Sequence, residues 1–267
     1  MKAVIFILSI CAISTTAEAE NLKVTAYFKN DSVNGFQLSD AYETHNMGLK
    51  VSNGGYYALV DLGIVSPDMY KYRNRFREAN RSFGEIITLE FGQKVSQAND
   101  TFFYVRARAS GEFGIDEMQD FAHKVLSLQP VNEVNDLVRM PNNIWYGIGG
   151  FYGLHSRDYL PVDADITVEA YLGTDTAYAK IDASRTAEYN VFDFNYGAGL
   201  NLVAFDEVVS AEPISADIRQ ITPYAHLGLE FEGTGYKVYV SEVISLPTIR
   251  ADNDIYAVLN AGITLEF

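Results

Sequence analysis

From Ile255 to the C-terminus every second residue is apolar: Ile255, Ala257, Leu259, Ala261, Ile263, Leu265 and Phe267. Tyr256, Val258, Asn260, Gly262, Thr264 and Glu266 fill the places between them. Successive side chains of a strand point to opposite faces, so one face of this segment is continuously apolar and the other is mostly polar. A half-buried strand of a soluble sandwich alternates in the same way, and period two fixes only the two-faced character. The length matches the roughly 9–11 residues with which a tilted strand crosses a bilayer.

The pattern recurs along the chain. Val24, Ala26 and Phe28 oppose Lys23, Thr25, Tyr27 and Lys29; Phe103, Val105, Ala107 and Ala109 oppose Tyr104, Arg106, Arg108 and Ser110; Ile166, Val168 and Ala170 oppose Asp165, Thr167 and Glu169. Charge falls on one face of each. The periodicity predicts strands near 22–29, 45–52, 56–64, 83–94, 100–110, 144–154, 163–172, 175–182, 194–204, 219–231, 235–244 and 255–267. Twelve is an even number, as a closed single-chain barrel of the bacterial outer membrane requires, and a terminal Phe resembles the end of such chains. The expected fold is therefore all-β: a twelve-stranded antiparallel transmembrane barrel with one short helix in an extracellular loop.

The first residues read differently. Lys2, the apolar run 3–13, the polar Ser14-Thr15-Thr16 and then Ala17-Glu18-Ala19 have the order of a secretory signal peptide, which assigns 1–19 to the signal and 20–267 to a single barrel domain. The only cysteine, Cys11, lies inside that signal, so disulfides do not hold the mature chain. With 35 acidic against 20 basic residues the formal charge is −15, which opposes a phosphate-binding surface and excludes nucleic acid as a partner. The expected location is the bacterial outer membrane, as a monomer among outer-membrane lipid.

The connections set the orientation. Segments 30–44, 65–82, 111–143, 205–218 and 245–254 are long and expected outside, whereas 53–55, 95–99 and 232–234 are short and expected on the periplasmic side. A short outer turn near Gly173-Thr174 and longer inner connections near 155–162 and 183–193 are the expected exceptions. The inward face carries Lys50, Glu90, Arg106, Arg108, Glu169 and Glu230 with tyrosines between, enough paired side chains to fill a lumen of this size.

Chemistry has few places to sit. In 116–126 the residues Met118, Phe121, Ala122 and Val125 follow helical spacing, and Gln119 and His123, four apart, share one face beside them. A histidine on an exposed loop helix is more often solvated than catalytic. Asp31 continues the inward parity of Lys29, and Asn46 shares that of Gly48 and Lys50, so the two should converge. Asn30-Asp31 offers carboxylate and amide oxygens to a hard cation such as Ca²⁺, although in isolation an Asx turn at a strand end is the stronger reading. Ser66-Pro67 opens a loop with a basic stretch from Lys71 to Arg77, suited to anionic lipopolysaccharide head groups.

The order of these features (Asn30-Asp31, Asp40, Asn46-Met47-Gly48-Leu49, Val65-Ser66-Pro67, Arg81-Ser82-Phe83, Gly114, Gln119 and Ala122-His123) resembles the outer-membrane lipid A 3-O-deacylases of the LpxR type. Asn46 stands where that family usually has Thr or Ser. The resemblance implies a Ca²⁺-dependent carboxylic ester hydrolase that removes the 3′-acyloxyacyl chain of lipid A in lipopolysaccharide. It further implies His123 as general base, Asn30 and Asp31 at the calcium and catalytic end of the first strand, Asn46 and Gln119 in the same catalytic group, and Lys71 and Ser66 toward the substrate. The competing reading is a small barrel that transports or adheres without catalysis.

Overall fold

The computed structural model describes residues 22–30, 42–67, 82–96, 100–115, 138–139, 142–155, 163–206, 220–245 and 256–267. Thirteen strands occur among them: β1 (Lys23–Asn30), β2 (Tyr42–Ser52), β3 (Tyr56–Pro67), β4 (Ser82–Ser96), β5 (Asp100–Gly111), β6 (Val138–Arg139), β7 (Asn143–His155), β8 (Asp165–Gly173), β9 (Thr176–Tyr189), β10 (Phe192–Asp206), β11 (Gln220–Gly233), β12 (Tyr236–Ser245) and β13 (Tyr256–Glu266). All but β6 are long, and each pairs antiparallel with its neighbours in the chain. The ring closes where β1 meets β13, with Lys23 opposite Glu266 and Asn30 opposite Leu259. The N–H of Phe267 then donates to the carbonyl of Leu22 at 2.9 Å, so the last residue is tied to the first strand. The two-residue β6 pairs parallel with the start of β4 and takes no part in the closed wall.

Closure leaves no edge strand, which lets a sheet survive in hydrocarbon, where an unpaired backbone group has no water to bond. The faces are sorted accordingly. Phe28, Phe91, Val105, Ile148, Leu172, Leu227, Val240 and Ile263 are all exposed, and all fall on the outward parity. A soluble protein does not leave so continuous an apolar band uncovered. At the short-turn end the band finishes in aromatic side chains: Tyr56, Tyr189, Phe192, Tyr236 and Phe267 are exposed. Phe231 packs between Phe192 and Tyr236, with ring centroids 5.6 and 6.1 Å away. Such a girdle suits the lipid–water boundary, where an aromatic ring has an apolar body to bury.

Inside, tyrosine and glycine fit together. Tyr27 lies directly opposite Gly48, Tyr57 opposite Gly92, Tyr104 opposite Gly149, Tyr224 opposite Gly199 and Tyr239 opposite Gly262. In every case the ring occupies the space that a Cβ on the glycine would need. The missing side chain lets each ring lie flat against the neighbouring strand, covering backbone that glycine would leave bare.

Two expectations need correction. The predicted inner connection at 183–193 does not exist as a loop: β9 runs to Tyr189, and Asn190 and Val191 alone make the turn to β10. Asn190 takes a left-handed φ of 59°, which Asn tolerates and a two-residue hairpin demands. Small residues such as Ala183 and Ala187 had weakened the alternation there. The second correction concerns charge, which is not confined to the inner face. Glu85 on β4 and Glu242 on β12 point outward, the latter between Leu227 and Leu259. The other described turns, at 53–55, 174–175 and 234–235, fall within a residue or two of the expected places. Asn53 Oδ1 accepts from the N–H groups of Gly55 and Tyr56 at 3.3 and 2.9 Å, and Gly54 turns the chain with φ 79°. Residues 1–19, the expected signal, lie outside the described residues.

Candidate functional site

The first five long strands stand side by side, β1 against β2, β2 against β3, β3 against β4 and β4 against β5. The connections after β1, β3 and β5 therefore leave one rim along one arc of the barrel. Asn30 closes β1 opposite His45; Asn46 and Ser66 lie on β2 and β3 near the same rim, where Ser66 is opposite Glu43 and Asn46 opposite Gly63. Asp31, Lys71, Gln119 and His123 lie outside the described residues, as does the expected helix 116–126.

Asn46 is inward, as its parity requires, and its Nδ2 donates to Asp61 Oδ1 at 2.7 Å. Tyr27 Oη donates to the other oxygen of the same carboxylate at 2.6 Å. Asp61 is 7% exposed, so its two donors replace the water it loses. Sequence reading placed Asn46 in a catalytic group and passed over Asp61; the structure joins the two residues in the wall of the lumen.

The same construction recurs elsewhere in the barrel. Glu90 accepts from Tyr57 Oη at 2.6 Å and from Arg106 Nε at 2.7 Å. Glu169 accepts from Tyr104 and from Tyr178, each at 2.7 Å. Asp182 accepts from Tyr224 at 2.6 Å and faces His226 Nε2 at 3.2 Å. Asp175, fully buried, meets Arg108 at 2.9 Å and Tyr171 at 3.3 Å. Each of these acids thus has a tyrosine and a second donor. Arg106 also lies over the rings of Tyr104 and Tyr171, and Lys50 and Lys180 lie over Tyr57 and Tyr224. These contacts draw β3, β4, β5, β8 and β9 together through the interior. The sequence signal was present in the acids and bases at inward positions on adjacent strands, but the pairing follows only from the register.

One acidic cluster among the described residues has metal-ligand spacing: Asp193, Glu230 and Glu232. It sits at the short-turn end, and Lys237 already bonds Glu230 at 3.2 Å and Glu232 at 3.1 Å. It is therefore at the other end of the wall from Asn30, one of the two residues expected to hold calcium.

An even, closed, antiparallel barrel with an apolar outer band, an aromatic girdle and a charged, hydrogen-bonded interior is an outer-membrane β-barrel. Among solved structures the chain is similar to LpxR from Salmonella typhimurium, with a TM-score of 0.60 and 13% identity over 92% of this chain and 100% of that one. It is also similar to an outer-membrane channel from Pseudomonas putida F1, with a TM-score of 0.49 and 10% identity over 94% and 98% of the two chains. The NanC porin aligns with a TM-score of 0.47 and 8% identity over 92% and 100%. No family model and no curated protein matches the sequence.

Proposed function

We propose that this protein is a lipid A deacylase of the bacterial outer membrane that hydrolyses the 3′-acyloxyacyl ester of lipopolysaccharide. The observation that carries the reading is the contiguity of β1 to β5, because the residues of the ordered motif belong to strands and loops that share one rim. The likeness to the LpxR barrel over the whole of that chain supports it.

The chemistry follows from the residue types. Water attacks an ester slowly because it is a weak nucleophile and because the tetrahedral intermediate bears an oxyanion. His123, as a neutral imidazole, takes a proton from the attacking water as the new C–O bond forms. It then returns the proton to the leaving alkoxide as the ester C–O bond breaks, so that a free acyloxyacyl fatty acid and a lipid A with a 3′-hydroxyl result. Gln119, four residues before His123, is suited to orient the water or the imidazole. Asn30 and Asp31 are the residue types whose hard oxygens would hold Ca²⁺, and the ion, when bound, would supply positive charge for the oxyanion. Lys71 and Ser66 would serve the anionic head group. This route needs no serine or cysteine nucleophile, in keeping with a mature sequence that has no Cys and no Gly-x-Ser-x-Gly elbow.

A transport function requires a wide wet lumen, whereas Tyr57, Glu90, Arg106, Tyr178 and Glu169 are joined across part of it. The deciding experiment is mass spectrometry of lipid A from cells with and without the protein. Loss of the mass of one acyloxyacyl group is expected; unchanged lipid A in cells that assemble the barrel would refute the reading.

A further inference from the structure

Lys29 is the last inward side chain of β1 before the rim of long connections, and it is exposed. Its ammonium lies 4.9 Å from the ring centroid of Tyr27, two residues earlier on the same face. That ring is itself fixed, because it lies against Gly48 on β2 and its hydroxyl donates to Asp61 at 2.6 Å. Directly across from Lys29 stands Asn46, whose amide rests on Gly63 and gives Nδ2 to the other oxygen of Asp61 at 2.7 Å. Both oxygens of Asp61 are thus taken, and the acid does not compete for Lys29.

The other described cations of the inner wall are occupied or covered. Lys23, Lys94, Arg106, Arg108 and Lys237 each meet a carboxylate within 3.2 Å. Lys50 and Lys180 are half-buried over the rings of Tyr57 and Tyr224. Among the described residues of that wall, Lys29 is the exposed cation that has an aromatic seat and no acid. In a chain of charge −15 it does not arise from a general excess of base. An ammonium held on a fixed ring has already lost part of its side-chain freedom, so an anion that binds it pays less to order it. A compact charge with three rotatable donors suits the oxygens of a phosphate, which need no planar fork.

We propose that Lys29 binds a phosphate group on the head group of the substrate lipid, beside Asn46 at the rim of β1 and β2. The nature of the lipid rests on the deacylase reading; the seat of the ammonium on Tyr27 does not.

The test uses the full-length barrel in detergent, as wild type, Lys29→Gln and Lys29→Arg, each checked for heat-modifiable migration. The probes are phosphorylated lipid A bearing a fluorescent label and the same lipid after phosphatase has removed its phosphates. Fluorescence anisotropy reads binding with no need for turnover. Lys29→Gln should weaken binding of the phosphorylated lipid about tenfold, the worth of one charge-assisted hydrogen bond. Its binding of the dephosphorylated lipid should match the wild type, and Lys29→Arg, which keeps the charge, should bind both lipids nearly as the wild type does. In the cleavage assay the same variant should raise KM for the phosphorylated lipid and leave kcat unchanged. Equal weakening for both lipids, weakening for neither, or a wild type that binds neither would overturn the phosphate contact. Displacement of the labelled lipid by inorganic phosphate from the wild type, but not from Lys29→Gln, would make free phosphate the ligand and overturn the lipid assignment. A wild type that binds the phosphorylated lipid through Lys29 without cleaving it leaves the site standing and removes the deacylase reading instead.

Discussion

Arg106 and Glu90 are direct cross-strand partners on β5 and β4, and the guanidinium Nε donates to the carboxylate at 2.7 Å with both side chains largely buried. Neither charge would be tolerated alone at that depth, since a buried ion without a partner loses its hydration and gains nothing. Tyr57 and Tyr178 complete the donors and acceptors around the pair. The barrel interior is therefore held by matched polar groups, while the outside is held by lipid.

Removal of one member of this pair should be far worse than removal of both. Arg106→Leu leaves Glu90 with Tyr57 alone and should cost about 3–5 kcal/mol, read as a lower urea midpoint of the barrel in detergent. Arg106→Leu combined with Glu90→Leu should recover most of the loss. Equal destabilisation by the single and double variants would show that the pair is not coupled.

Glu242 points outward between Leu227 and Leu259, and its Oε1 is buried without a hydrogen-bond partner among the described residues. An unsatisfied buried acceptor costs about 1–3 kcal/mol, so Glu242→Leu should raise the unfolding midpoint. A lower midpoint would mean that the carboxylate has a stabilising partner in the membrane.

As a closed barrel with an apolar outer band, the protein should remain in the membrane pellet through carbonate and high-salt washes. It should also run faster in gels before boiling than after, because a closed barrel resists detergent. Release into buffer by carbonate alone would contradict the membrane assignment.

If Asp31 holds an activating cation, excess chelator and Asp31→Ala should abolish lipid A cleavage to similar extents, with folded barrel recovered at the wild-type yield. Full activity in chelator would remove the metal from the mechanism.

His123→Asn keeps size and polarity but removes the titrating nitrogen, so turnover should fall by roughly 10²–10⁴. Gln119→Ala should cost less. His226, bonded to Asp182 inside the barrel, is the control, and His226→Asn should leave turnover near the wild-type rate. Near-full cleavage by His123→Asn would make the non-catalytic barrel the better reading.

Which stretches are strands, and which of their faces meet lipid, can be read from residue order alone. All twelve long strands were legible, because alternation in a strand is a local property: Ile263 and Leu265 point away from Thr264 and Glu266 whatever they pair with. That reading failed where the local signal was weak, at the Asn190-Val191 turn, and where an acid broke the alternation for a nonlocal reason, at Glu85. What the tertiary structure alone decided was partnership. That Asn46 bonds Asp61, that Tyr104 reaches Glu169 across 65 positions, and that Phe113 folds back onto Glu85 all depend on strand register and closure. Those sum contacts over the whole ring, and no window of sequence contains them.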